Sequence, residues 1–340
     1  MSFKRFDQED VVVSADSVTA PLWTGDIVNL TSFYTSATQK DGVSGDYYYN
    51  VYQTGSTLDT ARVQFSVAYA DKKGSGSAYF NAAVPGKSPS SIVYGQYRNI
   101  VLGDEETDFT FGSIISENFY AISIDRARYK EKLLPGTLSL TLKTGSATLV
   151  LTDDSVVDST VTFTDSGRVY ELITGSLGVL STGKKNANGY TSASGSYGKF
   201  LPDIGVILLN GNALKASSAS GGLGLNIDRS ANPAASNNLQ SGFEIIESGS
   251  AFRLQSEETI SSNFVFVRAR NSEFNYSANP SYTTGSGEIR HNVMIDRPQS
   301  YITTVGLYND NNDLLGVAKL SRPLLKDFTK EALIRIKLDY

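Results

Sequence analysis

The sequence predicts an all-β protein, built as two to three antiparallel β-sandwich or barrel-like domains with little helix. Three observations carry this expectation. Among 340 residues there are 30 glycines and 19 tyrosines, which suit tight turns and pleated surfaces respectively. Apolar residues recur with period two in short runs, as along Leu138, Leu140 and Leu142, or along Val63, Phe65, Val67 and Tyr69. Polar, turn-forming clusters punctuate those runs, at residues 71–77 and 309–313 among others. A chain of this length exceeds one ordinary core, and its 40 % apolar content is enough for more than one.

In chain order, residues 1–136 are expected to form an N-terminal β domain with strands near 11–13, 46–52, 62–69 and 118–124. The segment from Asp125 to Gly136 reads as one or two helical turns, capped by Asp125 and stopped by Pro135 and Gly136. Residues 137–214 form a central β domain, with an amphipathic hairpin over 138–152 that turns at 143–146. Further β segments are expected at 156–163, 168–173 and 205–209. Residues 215–242 are poor in large apolar groups and read as a long exposed loop or insertion that a partner would order.

Apolar density returns in the C-terminal β domain, residues 243–340. Alternating Phe264, Val265, Phe266 and Val267 suggest a strand covered on both faces, paired with the terminal hairpin. That hairpin joins 301–308 to 314–320. Pro323 then excludes a central ladder position. In the last strand Ile334, Ile336, Leu338 and Tyr340 share a face expected to be buried, with Arg335, Lys337 and Asp339 on the other.

The bulk numbers exclude several function classes. Thirty-five acidic against 30 basic residues give a net charge of −5 and a pI near 5.1, which argues against binding nucleic acid through phosphate contacts. With no cysteine there is no disulfide, thiolate nucleophile or cysteine-ligated metal. No apolar run approaches the roughly 18 residues of a membrane span, and the opening residues lack the apolar centre of a signal peptide. The expectation is a soluble chain made in a cytoplasm, with no membrane partner.

Motifs that could carry chemistry each fall short. The single histidine, His291, lies in a polar loop with no nucleophile elbow to serve. Residues 178–185 come close to a phosphate-cradling loop, but Lys185 stands where a hydroxyl would hold magnesium. Residues 309–313 lack the glycine and glutamate of a calcium loop. The carboxylate pairs Glu105/Glu106, Asp153/Asp154 and Glu257/Glu258 are adjacent in sequence, so on a strand they face opposite ways. No catalytic residue, cofactor or metal site is therefore assigned, and an enzyme is not expected.

Two clusters are candidate partner contacts. Tyr47, Tyr48, Tyr49 and Tyr52 could stack sugars, or fill a core on one face and a subunit contact on the other, which is the stronger reading. Arg126, Arg128, Lys130 and Lys132 could dock an acidic surface, against the blander and stronger reading of a solvated turn.

The final third carries a resemblance. The stretches Arg268-Ala-Arg-Asn-Ser-Glu-Phe-Asn-Tyr-Ser-Ala-Asn-Pro280, Tyr301-Ile-Thr-Thr-Val-Gly-Leu-Tyr-Asn-Asp310 and Leu325-Lys-Asp-Phe-Thr-Lys-Glu-Ala-Leu-Ile-Arg-Ile-Lys-Leu-Asp-Tyr340 resemble virion structural proteins of contractile-tailed bacteriophages, notably those of marine cyanobacteria. Similar patches lie at 119–136, 200–206 and 315–320. The resemblance implies a tail or baseplate component located in the virion. Its partners would be other virion proteins, and it supplies no catalytic residues; a homo-oligomer is a separate expectation that the resemblance does not imply. A tail-fibre adhesin module that binds host glycan, or a head or neck component, are the alternatives.

Overall fold

The computed structural model describes residues 4–36, 47–77, 80–158, 160–181, 194–227 and 237–339. It is an all-β fold of more than one domain, 44 % strand and 15 % helix. Strands β1 (Val11–Pro21), β2 (Asn29–Leu30), β3 (Tyr48–Tyr52) and β4 (Val63–Asp71) precede helix α1 (Pro89–Leu102). Next come β5 (Thr110–Phe111), β6 (Ile114–Ile115), β7 (Asn118–Ile124), β8 (Lys132–Leu133), β9 (Ser139–Thr144) and β10 (Ala147–Asp153). They are followed by β11 (Thr162–Thr164), β12 (Gly167–Ser176), β13 (Val179–Leu180), β14 (Gly198–Leu201) and β15 (Val206–Asn210). Helices α2 (Gly211–Lys215) and α3 (Asn237–Gly249) lead to β16 (Phe252–Arg253) and the long β17 (Gln255–Ala269). A short α4 (Val293–Asp296) precedes β18 (Gln299–Tyr308), β19 (Leu314–Asp327) and β20 (Ala332–Asp339).

The chain divides into two units: Val18–Glu258, and Met1–Ser17 with Thr259–Tyr340. This differs from the boundaries expected at 136, 214 and 242. The reason is strand pairing across them, since β7 from the expected first domain pairs with β15 from the second, Ile207 opposite Ile122. Both belong to a single 12-stranded sheet ordered β2-β16-β9-β10-β12-β14-β15-β7-β4-β3, with β11 and β13 attached to β12. All its pairings are antiparallel where the register is defined.

This large sheet is covered on both faces, and the alternation along each strand sorts residues between two cores. Val67, Tyr120, Ile122, Ile207 and Leu209 face one core, to which α3 contributes Leu239, Phe243 and Ile246. Ala68, Phe119, Ala121, Val206 and Leu208 face the other, where α1 adds Val93, Tyr94, Tyr97 and Val101. Helix α1 forms where its ends are both signalled. Pro89 supplies a fixed φ at the first turn, and Gly103 at φ +64° closes the last by donating its N–H to Asn99 O.

The expected loop over 215–242 is corrected at both ends. Leu223, Leu225 and Ile227 are buried in the first core, and helix α3 begins within the expected loop. The segment 228–236 lies outside the described residues. The β segment expected at 156–163 is also shorter, because residues 155–157 turn and only Thr162–Thr164 pair.

In the second unit β17 lies between β1 and β20, and Val265 stands opposite Ile336 in the β17–β20 ladder. The expected pairing partner of β17 was the hairpin, but β18 and β19 form a separate two-stranded ribbon. The two layers share a small core of Val265, Leu307 and Ile336, edged by Val267, Val305, Ala318 and Ile334. Of the four side chains expected to be buried in the last strand, Ile336 is buried and Ile334 half-buried, whereas Leu338 is 39 % exposed. The small core does not include Leu338, which is only partly covered. Tyr340 lies outside the described residues.

Candidate functional site

The second unit leaves much of its apolar surface uncovered, and this begins with the β18–β19 ribbon. Its turn is built by Asn309, whose Oδ1 accepts the N–H groups of Asn311 and Asp313 at 3.0 and 2.8 Å while Asn312 takes φ +64°. Alternation then sends Val305 and Leu307 inward, opposite Ala318 and Gly316. On the outer face Val317 is 60 % exposed, Tyr308 and Leu314 are exposed, and Leu315 is the extra residue of a bulge at 70 % exposure. A second bulge places residues 320–323 opposite Thr303, between the pairs Ile302/Leu324 and Thr304/Lys319. Pro323 is thereby accommodated within a strand without breaking a central ladder.

A groove of about 1360 Å³ lies beside β18. Its wall is the segment 274–298 together with residues 4–6, presenting Phe274, Tyr282, Ile289 and Met294. Local bonds fix that wall. Tyr276 and Tyr282 meet edge to face at 5.6 Å, and Arg290 Nε donates to Thr283 O at 2.8 Å. Behind the wall, Lys326 is a fully buried lysine whose ammonium donates to Asn271 O, Asn275 Oδ1 and Asp327 O at 2.9–3.0 Å. Three oxygen acceptors satisfy its three donors and tie loop 271–275 to β19. Ser300 Oγ donates to Phe274 O and ties the same loop to β18. The groove is lined by aromatic, aliphatic, hydroxyl and amide groups, with Lys4, Arg5, Asp10, Arg268 and Asp310 adding charge.

The residues singled out in the sequence are distributed differently. Tyr47 and Tyr48 are exposed and meet edge to face at 5.5 Å. Tyr49 is fully buried against Phe243 of α3, and Tyr52 is half-buried, its backbone bridged to Tyr34. The basic run is engaged within the chain. The Arg126 guanidinium sits 4.6 Å over the Tyr129 ring and donates to Tyr129 O and Lys130 O. Arg128 donates to Thr24 Oγ1, Lys130 pairs with Glu258 at 2.9 Å, and Lys132 lies 3.5 Å from Glu131 and 3.9 Å from Glu257. Arg126 and Arg128 thus meet neutral groups, and the Lys130 side chain stays 81 % exposed beside its acidic partner.

The remaining motifs resolve into ordinary structure where they are described. His291 is exposed ahead of α4. Gly178 at φ +73° makes the β12–β13 turn, while Lys184 and Lys185 lie outside the described residues. Among the described residues no three His, Asp or Glu side chains converge as metal ligands, and no helix is long and apolar enough to cross a membrane.

The sequence singles out Asp153 and Asp154 but not the electrostatic cluster they join. Asp154 is pushed up from 3.8 to about 7, first by burial and then by the neighbouring Glu171 carboxylate. Its Oδ1 accepts the Glu171 N–H at 3.1 Å, and Glu171 in turn holds Lys199 and the Ser196 hydroxyl. Buried Asp153 accepts from Gly136 N and from Ser155, and burial raises its pKa too. The groups are joined by the β10–β12 pairing, and period-two reading gives no hint of which acids that pairing brings together. Compared with known proteins, the chain matches no protein-family model, no curated protein and no solved structure.

Proposed function

We propose that the chain is a non-enzymatic structural subunit of a bacteriophage virion, stationed in the tail or baseplate and working through protein–protein contacts. The observation that supports it is the apolar outer surface of the second unit. Tyr301, Leu315, Val317 and Phe328 are each at least 60 % exposed, around a small core whose buried members among the described residues are Val265, Leu307 and Ile336. Large apolar side chains left exposed in this way fit a contact surface. The phage resemblance is most specific over the last seventy or so residues, from Arg268 onward, and these lie within the same unit.

Mass spectrometry of purified particles tests the proposal. The chain is expected at a fixed copy number alongside the tail proteins, and to stay with the tail when heads and tails are separated. Its absence from purified particles would refute the reading.

A further inference from the structure

Strand β18 has one edge in use and one open. It pairs with β19 along one side, and no strand among the described residues pairs along the other. In an antiparallel strand every second residue turns its N–H and C=O away from the partner. The open side of 300–307 therefore offers a row of backbone donors and acceptors whose spacing another β-strand matches.

The two strands of the ribbon treat their edges differently. Strand β19 carries Lys319, Arg322, Pro323 and both bulges, the devices that discourage a strand from pairing further. Between Tyr301 and Tyr308, β18 has no charged residue and no proline, and the extra residues of both bulges belong to its partner.

The groove follows this unprotected edge. Residues 300–306 line it in unbroken succession, whereas a pocket over a sheet face would meet every second residue. Its volume of about 1360 Å³ exceeds the roughly 300–1,000 Å³ of a small-molecule site. Residues of 274–298, of 4–10 and of β17 and β20 line the same space, so the edge is walled in, and a single extended chain reaches it more readily than a folded ribbon. An apolar chain such as a lipid tail would cover the backbone row without satisfying it, at ~1–3 kcal/mol for each group.

We propose that this groove is a docking slot for one extended segment of a partner polypeptide, which adds to β18 as a third strand. Eight residues pairing with 300–307 would span about 27 Å. Alternate large apolar side chains of that segment would pack against Phe274, Tyr282, Ile289 and Met294, and the intervening residues would be polar. The proposal rests on the reading of the chain as an assembly subunit and names the mode of contact.

The test selects peptides of about ten residues from a random library on the full chain, then measures their affinity for it. Selected sequences should alternate large apolar with polar residues. Backbone N-methylation, one position at a time, should weaken binding about tenfold or more at every second position, because those N–H groups pair with β18. Thr304→Arg, at an exposed position on the edge, should weaken binding by a similar factor. The scan uses the unaltered protein, so it decides the matter even if that variant folds poorly.

Three results would overturn the slot: no selected peptide binding below about 1 mM, an N-methyl scan without a two-residue period, or dimerisation of the chain that a bound peptide displaces. Particle mass spectrometry is read independently. A chain present in tails that binds no peptide overturns the slot alone, and a chain that binds peptides but is absent from particles overturns the virion reading alone.

Discussion

Ile336→Asp probes how little holds the second unit together. Ile336 is 6 % exposed and stands opposite Val265, with Leu307 completing the buried centre. Deleting the isoleucine forfeits about 1.5–3 kcal/mol of burial. Placing an unpaired carboxylate there adds ~1–3 kcal/mol more, even after the group raises its own pKa to escape ionisation. The expected loss at neutral pH is about 3–6 kcal/mol. Leu338→Asp is the control, two residues along the same face but 39 % exposed, and should cost less than about 1 kcal/mol. Urea denaturation gives both values, and amide exchange along β17, β18 and β20 reports where protection is lost. Equal effects at the two positions, or an Ile336→Asp variant within about 0.5 kcal/mol of wild type, would show that this face is not the core described.

Two further outcomes follow from buried polar groups. The raised pKa of Asp154 means that the folded state binds its proton more tightly than the unfolded chain, so the associated stability is present below about pH 4 and lost as pH rises through about 7. The ceiling is ~4 kcal/mol, and solvent screening of this half-buried group reduces it to ~1–2 kcal/mol. Asp154→Asn should therefore gain that much on wild type at pH 8 and nothing at pH 4, while parallel urea midpoints across that range would refute the assignment. Lys326→Met should destabilise by about 2–4 kcal/mol, since three oxygens lose their donor at a fully buried site. A melting temperature unchanged from wild type would mean that loop 271–275 is held by other contacts.

Strand content was legible because period two survives in short runs. The 138–152 hairpin turns where the sequence places it, with Leu138, Leu140 and Leu142 buried. The Asn309 turn also stands where the sequence puts it. Long-range pairing was not legible. Nothing in residues 118–124 or 206–210 indicates that they are neighbours, and their pairing is what merges two expected domains into one sheet. Both longer helices had readable signals. Pro89 and Gly103 bracket α1, with Val93, Tyr97 and Val101 one turn apart. Leu239, Phe243 and Ile246 follow helical spacing in α3. A β-rich composition outweighed those signals. In particular, Ala68 and Ala70 look like the exposed side of an amphipathic strand, although α1 packs over them.

The candidate site shows why alternation alone could not find it. Period two divides a strand into two faces but does not say which face the rest of the chain will cover. In Val18–Glu258 there is enough helix and sheet to cover both, so even small residues such as Ala121 are buried. In the ribbon the same kind of pattern leaves Tyr301 and Val317 outside, while Val305, Leu307 and Ala318 pack with β17 and β20. The distribution of charge along the ribbon is a better guide than hydrophobicity. Lysine, arginine and proline on β19 protect one edge, and an uninterrupted neutral run from Tyr301 to Tyr308 leaves the other able to pair. That asymmetry can be read directly from the sequence, but it acquires meaning only once the fold shows that β18 is an edge strand with a groove beside it.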